Sequence, residues 1–470
     1  MLLSLARLLP LSVRRWNDYG LGGPDRGNYQ AGCWSNDTHV ASYPHCLRCY
    51  DDDAVEKPAL WNAYVRVSRR ERVHGRRGMS LGIYGGLGHH RYPTVGSGDT
   101  YEDYATLTFQ IYLTLTAANV GVEWSHDLGA FMSTNWSTVV NDTYWLHNAE
   151  LYTRWVQAGV WQPVFRTHVS ENGQNWPWLY PSVLPELQAA FQARNALVPY
   201  LYTCAFDTFA SGVLAVHPMY YDFPDADEAY QASTLVAGGV PLQHMVGDAF
   251  TVSPITRPAD ASPESSGLVA WPLWVPPGTW VDCTNGVVLA GSQWYTRNYT
   301  LAETPCLERA GSVVPSKGLD DAHAIAPATL RLVVAWVAAA VGGAGPISIS
   351  GGGRVYEDDG ASLRYQQGLY SLGAASWRVD VDAAVASFAW RPQVEGAGYD
   401  GQPAQRMIEL RVRRAPATAA GMACQVDPVA PDAAFTWRWE AEAPPSGAVV
   451  LVLSVAHVPA LSTVECKFEF

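Results

Sequence analysis

The chain is short of charge. Lysine, arginine, aspartate and glutamate make up 16% of it, against about 25% in an average soluble protein. What charge there is leans acidic, with a formal net charge of −13. That balance excludes the basic footprint a phosphate backbone requires, so nucleic acid is not an expected partner. Long apolar runs are also missing. The longest, Leu332 to Val341, is about half the roughly 20 residues that cross a bilayer, so no membrane span is expected and the run reads as a buried strand. Cysteine is scattered over eight positions, and only Cys46 and Cys49 are closely spaced. No second pair or histidine cluster completes a zinc site, so neither a metal nor a cofactor is expected. The Gly-rich stretch through Gly82, Gly85, Gly86 and Gly88 lacks the GxGxxG spacing and the P-loop lysine of a phosphate cradle. Ser97, between Gly96 and Gly98, lacks the Gly-x-Ser-x-Gly frame of an acyl-transfer nucleophile.

Aromatic side chains, by contrast, are abundant: 19 tryptophans and 24 tyrosines. Most serve as core, but aromatics at this density also suit stacking against sugar rings. With 470 residues, two or three cores are expected. Between about Tyr101 and Phe209 amphipathic stretches alternate with short apolar ones. Helices are predicted over Tyr104 to Ala118, Asn148 to Ala158 and Leu184 to Ala210, with strands over Asn119 to Trp124 and Val160 to Phe165. Such alternation implies βα units and a parallel sheet. Beyond Gly212 the chain changes to short β-type segments punctuated by Pro and Gly, including Ala249 to Pro254, Leu268 to Trp274, Trp280 to Cys283 and Val313 to Pro315. This is the spacing of antiparallel sandwiches. A glycine-rich break at Gly342 to Gly353 and a turn at Asp358-Asp359-Gly360 fall in the last part, and the Ala-rich stretches 323–340 and 415–434 read as compositional bias or loop. Sequons at Asn36, Asn135, Asn141 and Asn298 point weakly to the secretory pathway, while the segment before Trp16, broken by Arg7, makes a poor signal peptide.

The chemistry concentrates between His89 and Phe131. Asp99 ends a loop containing Gly96 and Gly98, where glycine lets backbone approach a ligand closely. Asp127 follows the apolar run Val120 to Trp124 and precedes Gly129, as a strand ending in a turn would. Taken singly, an aspartate before Thr or Gly reads as a cap or turn residue. Together, and near Arg91, His126 and His168, the two acids read as a site at the C-terminal ends of barrel strands. The His89-His90 pair has no matching carboxylate spacing for a metal. Paired carboxylates remain, and they are what glycoside cleavage needs: one protonated acid at the leaving oxygen and one carboxylate as nucleophile or base.

Several longer stretches resemble a known family. HRYPTVGSGDT, TAANVGVEWSHDLGAF, ELYTRWVQAGVWQPVFRTH, the NWPW near 175 and NALVPYLYT are similar to the second half of the catalytic barrel of glycoside hydrolase family 31, the α-glucosidase and α-xylosidase group. GDAFTVSPIT, WVPPGTWVD, CLERAGSVVP and VYEDDG resemble that family's C-terminal β-sandwiches, in the same order along residues 75–365. The resemblance implies a partial (β/α)8 TIM barrel over residues 1–213, poorly matching over 1–57, then antiparallel β-sandwiches over 214–318 and 319–470. It also implies a retaining, two-aspartate hydrolysis of α-O-glycosidic bonds in an oligosaccharide or glycoside substrate. Asp99 would be the general acid/base. Asp127 and His168 would hold sugar hydroxyls, Arg91 and Phe131 would line the wall, and Trp124 and Arg166 would lie beside them.

The departures from the family are specific. The arginine expected before the Gly-rich loop is Ile83 here, which cannot donate a hydrogen bond and leaves a polar substrate group short by about 1–3 kcal/mol. The nucleophile should stand on the preceding strand, where Asp51, Asp52 and Asp53 supply candidates and Asp51 is favoured. Only about 45 residues lie upstream of the stretch His45 to Asn62 that holds them, against roughly 250 for a whole barrel. The expectation is therefore a truncated product or a chain that needs a partner to close the barrel. The alternative to an active glycosidase is an inactive homologue or a carbohydrate-binding fragment.

Overall fold

The computed structural model describes residues 71, 73–78, 81–83, 94–134, 137–140, 143–170, 172–233, 242–259, 267–319, 327–335, 348–415, 420–427, 432–441 and 449–469. In the first half, strands β1 (Leu81–Ile83), β2 (Thr94–Gly96) and β3 (Trp124–Ser125) form a parallel sheet in that order. Gly82 faces Val95 across the first pair, and Val95 faces Trp124 across the second. Helix α1 (Tyr104–Ala118) connects β2 to β3. It begins where extended Asp103 accepts from the Thr106 N–H, and it buries Leu107, Ile111 and Leu115 along one stripe, as spacing of four residues requires.

Helix α2 (Ala149–Val160) is capped by Asn148, whose side chain accepts from the Leu151 N–H at 3.0 Å. It is buried along its last ten residues, Leu151 to Val160. The apolar run that suggests a strand over Val160 to Phe165 is therefore the end of this helix, a turn at Trp161, a bend through Gln162 and Pro163, and irregular chain. That chain is joined to its neighbour by the Leu128 N–H donating to the Arg166 carbonyl at 2.9 Å. The strand expected from Asn119 shrinks to Trp124 and Ser125, because Asn119 to Gly121 form a turn in which Gly121 has φ 71°. The single helix expected over Leu184 to Ala210 is two, α3 (Leu184–Ala196) and α4 (Val198–Ser211), joined at Leu197. Pro199 explains the break: it has no N–H to donate to the Asn195 carbonyl one turn back, and its ring crowds that carbonyl.

Three further short strands lie in the connections that leave the C-terminal ends of this parallel layer. Strands β4 (Thr138–Val140), β5 (Tyr144–Leu146) and β6 (Gly173–Gln174) pair in that order, antiparallel and then parallel.

Beyond Gly212 the described residues are mostly sheet, with a short helix at Asp227–Ser233. A six-stranded sheet has the order Val288–Ala290, Thr279–Asp282, Cys306–Arg309, Phe250–Val252, His244–Val246, Val216–Pro218. A disulfide joins Cys283, just past the strand Thr279–Asp282, to Cys306 on the strand beside it. Two five-stranded sheets follow. One contains Thr329–Ala335, Gln405–Arg413 and Val449–Pro459, and the other contains Ile349–Glu357, Ser371–Asp380 and Val385–Glu395. Leu330, Leu332 and Val334 alternate inward from the first and meet Trp377, Val379, Phe388 and Trp390 from the second in one buried core, the two-residue period of strands facing a shared interior.

The Ala-rich stretches are not loops throughout: they contribute the strands Thr329–Ala335 and Ala420–Asp427. Cys424 is bonded to Cys466 on the strand beside it. Nor is the glycine-rich run a break through to Gly353. Gly351, Gly352 and Gly353 lie inside the strand Ile349–Glu357, and the Val313 N–H donates to the Gly352 carbonyl at 3.0 Å. A Cβ on Gly351 or Gly353 would collide with the backbone of Gly311 or Val313. Glycine here serves close approach of two chain segments rather than a turn.

The two halves meet at Asp358, which is 2% exposed. Its carboxylate accepts from Tyr356 at 2.6 Å, from the Gly360 N–H at 2.7 Å, from Tyr202 on α4 and from the Arg77 guanidinium ahead of β1. Arg77 also donates to the Ser362 carbonyl and the Tyr202 hydroxyl, and its guanidinium lies 4.6 Å from the Tyr365 ring. Replacing Asp358 by alanine strands a buried guanidinium and two buried hydroxyls. The expected outcome for Asp358→Ala is a loss of about 3–5 kcal/mol, read as a lower urea midpoint.

Candidate active site

In a parallel sheet the C-terminal ends of all strands lie on one edge, so the chain leaving β2 and the chain leaving β3 emerge side by side. Asp99 is on the first and Asp127 on the second. The ladder continues past the strands: the Ser97 N–H donates to the Ser125 carbonyl at 2.9 Å, and the Phe131 and Met132 N–H groups both donate to the Thr100 carbonyl at 3.1 and 2.9 Å. The third segment joins in the same way, the Ser170 N–H donating to the Phe131 carbonyl at 2.9 Å. Segments 97–102, 127–132 and 166–170 are thus neighbours, and they carry five of the residues expected from sequence: Asp99, Asp127, Phe131, Arg166 and His168. The Trp124 indole instead donates to Gln110 on α1 at 3.0 Å, so it engages the helix layer. Asp51, Arg91, the His89-His90 pair, and Cys46 with Cys49 lie outside the described residues. Ile83 ends β1, opposite Gly96.

Asp127 is 3% exposed and forms an ion pair with Arg166 at 2.8 Å. A carboxylate this deep stays ionised at modest cost only with such a partner. The turn that follows it is tight: Gly129 and Ala130 have φ 97° and 79°. Only glycine fits the first position, because a Cβ there would come within 2.8 Å of both the His147 ring and the Tyr152 ring. Ala130 holds a left-handed conformation that costs a non-glycine residue on the order of 1 kcal/mol, a strain typical of functional loops. Phe131 and His168 lie ring to ring, with centroids 5.1 Å apart.

Sequence reasoning missed two buried groups. Glu102, fully buried, accepts from the Asn148 N–H that starts α2 and from the Ser137 hydroxyl beside β4, and its own carbonyl accepts from Thr134 at 2.7 Å. It ties the loop of Asp99 to β4, β5 and α2. His147 lies 3.7 Å from it and stacks on Tyr152 with centroids 5.0 Å apart. In the sequence, Glu102 stands next to Asp103, where an acidic pair before a helix reads as capping, so nothing marks it as a buried anchor.

His126, beside Asp127, accepts from the Trp155 indole at 3.1 Å through Nδ1. Its pKa is pushed down to about 4, chiefly by burial. A ring whose Nδ1 accepts a hydrogen bond is neutral and carries its proton on Nε2. Among the described residues no group of three or more His, Cys, Asp and Glu side chains is placed to hold a metal ion, and no helix is long and apolar enough to cross a membrane.

Comparison with known proteins decides the lineage. The TIM-barrel domain of glycosyl hydrolases family 31 matches residues 29–204, and the family 31 C-terminal domain matches residues 212–314. The chain belongs to glycoside hydrolase family 31. Neutral alpha-glucosidase C of Mus musculus is 28% identical over 59% of this chain and 28% of its own length. An alpha-xylosidase of Saccharolobus solfataricus is 26% identical over 66% of this chain and 38% of its own. Among solved structures, a family 31 dextranase of Flavobacterium johnsoniae complexed with isomaltotriose superposes with a TM-score of 0.69 at 18% identity, covering 89% of this chain and 49% of that one. The chain therefore spans less than half the length of these relatives.

The buried histidine gives this family 31 site a pH signature. His126 has a folded pKa of about 4 against 6.5 when exposed, so the unfolded chain binds the extra proton between those values. Its contribution to stability is complete above about pH 6.5 and is lost as pH falls toward 4, about 3 kcal/mol in all. His244, pushed down to about 4 by burial in the six-stranded sheet, acts in the same window. Urea midpoints measured from pH 7 to pH 4 should fall with this slope, and His126→Gln should flatten its share of it.

Proposed function

We propose that the protein hydrolyses α-O-glycosidic bonds with retention of configuration, in the manner of the α-glucosidases and α-xylosidases it resembles. The observation that carries this reading is the placement of Asp99 and Asp127 on chain segments leaving adjacent parallel strands at one edge, with Asp127 buried against Arg166. Asp99 protonates the glycosidic oxygen as the bond to the anomeric carbon breaks, and a second carboxylate forms the glycosyl-enzyme bond. Asp99 then removes a proton from the water that hydrolyses this intermediate. We assign the nucleophile to Asp51. Asp127, paired with Arg166, accepts hydrogen bonds from sugar hydroxyls, with His168, Arg91 and Phe131 completing the wall. The substrate is an α-linked glucoside or related glycan, and the fold that carries the site is a partial barrel to residue 213, with β-sandwiches over 214–318 and 319–470.

A second reading, sugar binding without turnover, is favoured by Ile83 at the position where the family's arginine is expected. An aryl α-glucoside assay on the purified chain separates the two. Turnover in the wild type that falls by about 10²–10⁴ in Asp99→Asn supports hydrolysis through Asp99. A folded chain with no turnover leaves the binding reading.

A further inference from the structure

Trp176 and Trp178 are the most exposed tryptophans among the described residues, 53% and 63% exposed, whereas Trp155, Trp274, Trp280 and Trp377 are at most 1% exposed. Their indoles are nearly parallel, with centroids 5.1 Å apart and planes inclined by 15°. Two large apolar rings left side by side in water forgo burial energy, and such a patch marks a place where something docks.

The pair is held rigidly. Pro177 sits between the two tryptophans at the start of a 3-10 turn, Pro177–Leu179, closed by the Leu179 N–H donating to the Trp176 carbonyl at 3.0 Å. Behind it, the buried Tyr152 and Tyr180 hydroxyls donate to the carbonyls of Asn175 and Gln174, each at 2.7 Å, and their rings meet at 4.8 Å. An aromatic surface fixed before binding loses little conformational freedom when a ligand arrives.

Its place in the chain says what arrives. The tryptophans lie in the connection between the segment of Arg166 and His168 and helix α3, and that connection leaves the same edge of the sheet as Asp99 and Asp127. Ser170, where it begins, donates its N–H to the Phe131 carbonyl. We propose that Trp176 and Trp178 form a sugar-binding platform beside the active site, on which a pyranose ring of an oligosaccharide stacks while another residue of the same chain occupies the pocket at Asp99. The flat apolar C–H face of a pyranose complements the electron-rich face of an indole. Deepening the hydrolytic proposal, this platform makes the substrate an oligosaccharide rather than a disaccharide or small glucoside.

The experiment uses binding, so it does not depend on turnover. In the full chain carrying Asp99→Asn, intrinsic fluorescence titrations compare glucose, maltotetraose and isomaltotetraose. The expected result is that one tetraose binds more tightly than glucose. Adding Trp178→Ala or Trp176→Ala then weakens the tetraose by about fivefold, with glucose changed less than about twofold. An unchanged tetraose affinity in both tryptophan variants overturns the platform, as does a failure of either tetraose to outbind glucose. A change in sedimentation without a change in sugar affinity also overturns it and assigns the pair to self-association. Loss of the hydrolytic proposal shows separately, as absent turnover in the chain that retains Asp99.

Discussion

The site exists because three short strands run the same way. Parallel pairing of β1, β2 and β3 fixes which edge their outgoing chains share, and no side chain needs to be recruited from a distance to bring Asp99 and Asp127 together. The register does the rest. Val95 opposite Trp124 and Gly96 opposite Ser125 set the two outgoing loops level, and the bonds from Ser97 to Ser125 and from Phe131 to Thr100 keep them level beyond the last strand residue. A one-residue slip would turn each strand's side chains to the opposite face, with Trp124 leaving the helix layer.

Buried charge is affordable at this edge only because each acid is met. Asp127 has Arg166, and Glu102 has a backbone N–H, a serine hydroxyl and a histidine ring close by. The two differ in what surrounds the carboxylate. Glu102 faces groups of β4, β5 and α2 that form the framework, so its charge serves to hold the Asp99 loop in place. Asp127 is paired with the Arg166 guanidinium from the neighbouring segment, so its charge links two of the chain segments that leave the sheet edge.

How much of this could be read from the sequence depended on how local the cause was. Tyr104 to Ala118 was legible to the residue because its cap, Asp103, and its stripe of Leu107, Ile111 and Leu115 all lie within the helix itself. Leu184 to Ala210 was misread as one helix because apolar periodicity continues through Pro199, while the backbone cannot. Val160 to Phe165 looked like a strand since an apolar run carries no mark of whether it ends a buried helix or begins a sheet. Asp99 and Asp127 stood out through glycine and aromatic neighbours. Glu102 did not, because its partners Ser137 and Asn148 come from 35 and 46 residues away, and His147 meets Glu102 only across a similar gap. The disulfides were invisible for the same reason: Cys283 and Cys306, or Cys424 and Cys466, become partners only when strands 23 and 42 residues apart pair.

The Asp358 cluster shows how the sheet-rich C-terminal half bears on the site. Arg77 lies four residues before β1, and among the groups holding it are the Asp358 carboxylate and the Ser362 carbonyl of the distal sheets and Tyr202 on α4. The chain that leads into the first parallel strand is thereby anchored to residues nearly 300 positions later. Backbone bonds repeat the tie, with the Arg77 N–H donating to the Ala361 carbonyl at 2.9 Å and the Leu363 N–H to the Gly75 carbonyl at 3.0 Å. A three-residue strand at a sheet edge has few bonds of its own to hold it. The distal half therefore acts on the site through β1: it fixes where the described part of the parallel layer starts, and through pairing from β1 to β2 to β3 it fixes where Asp99 and Asp127 end up.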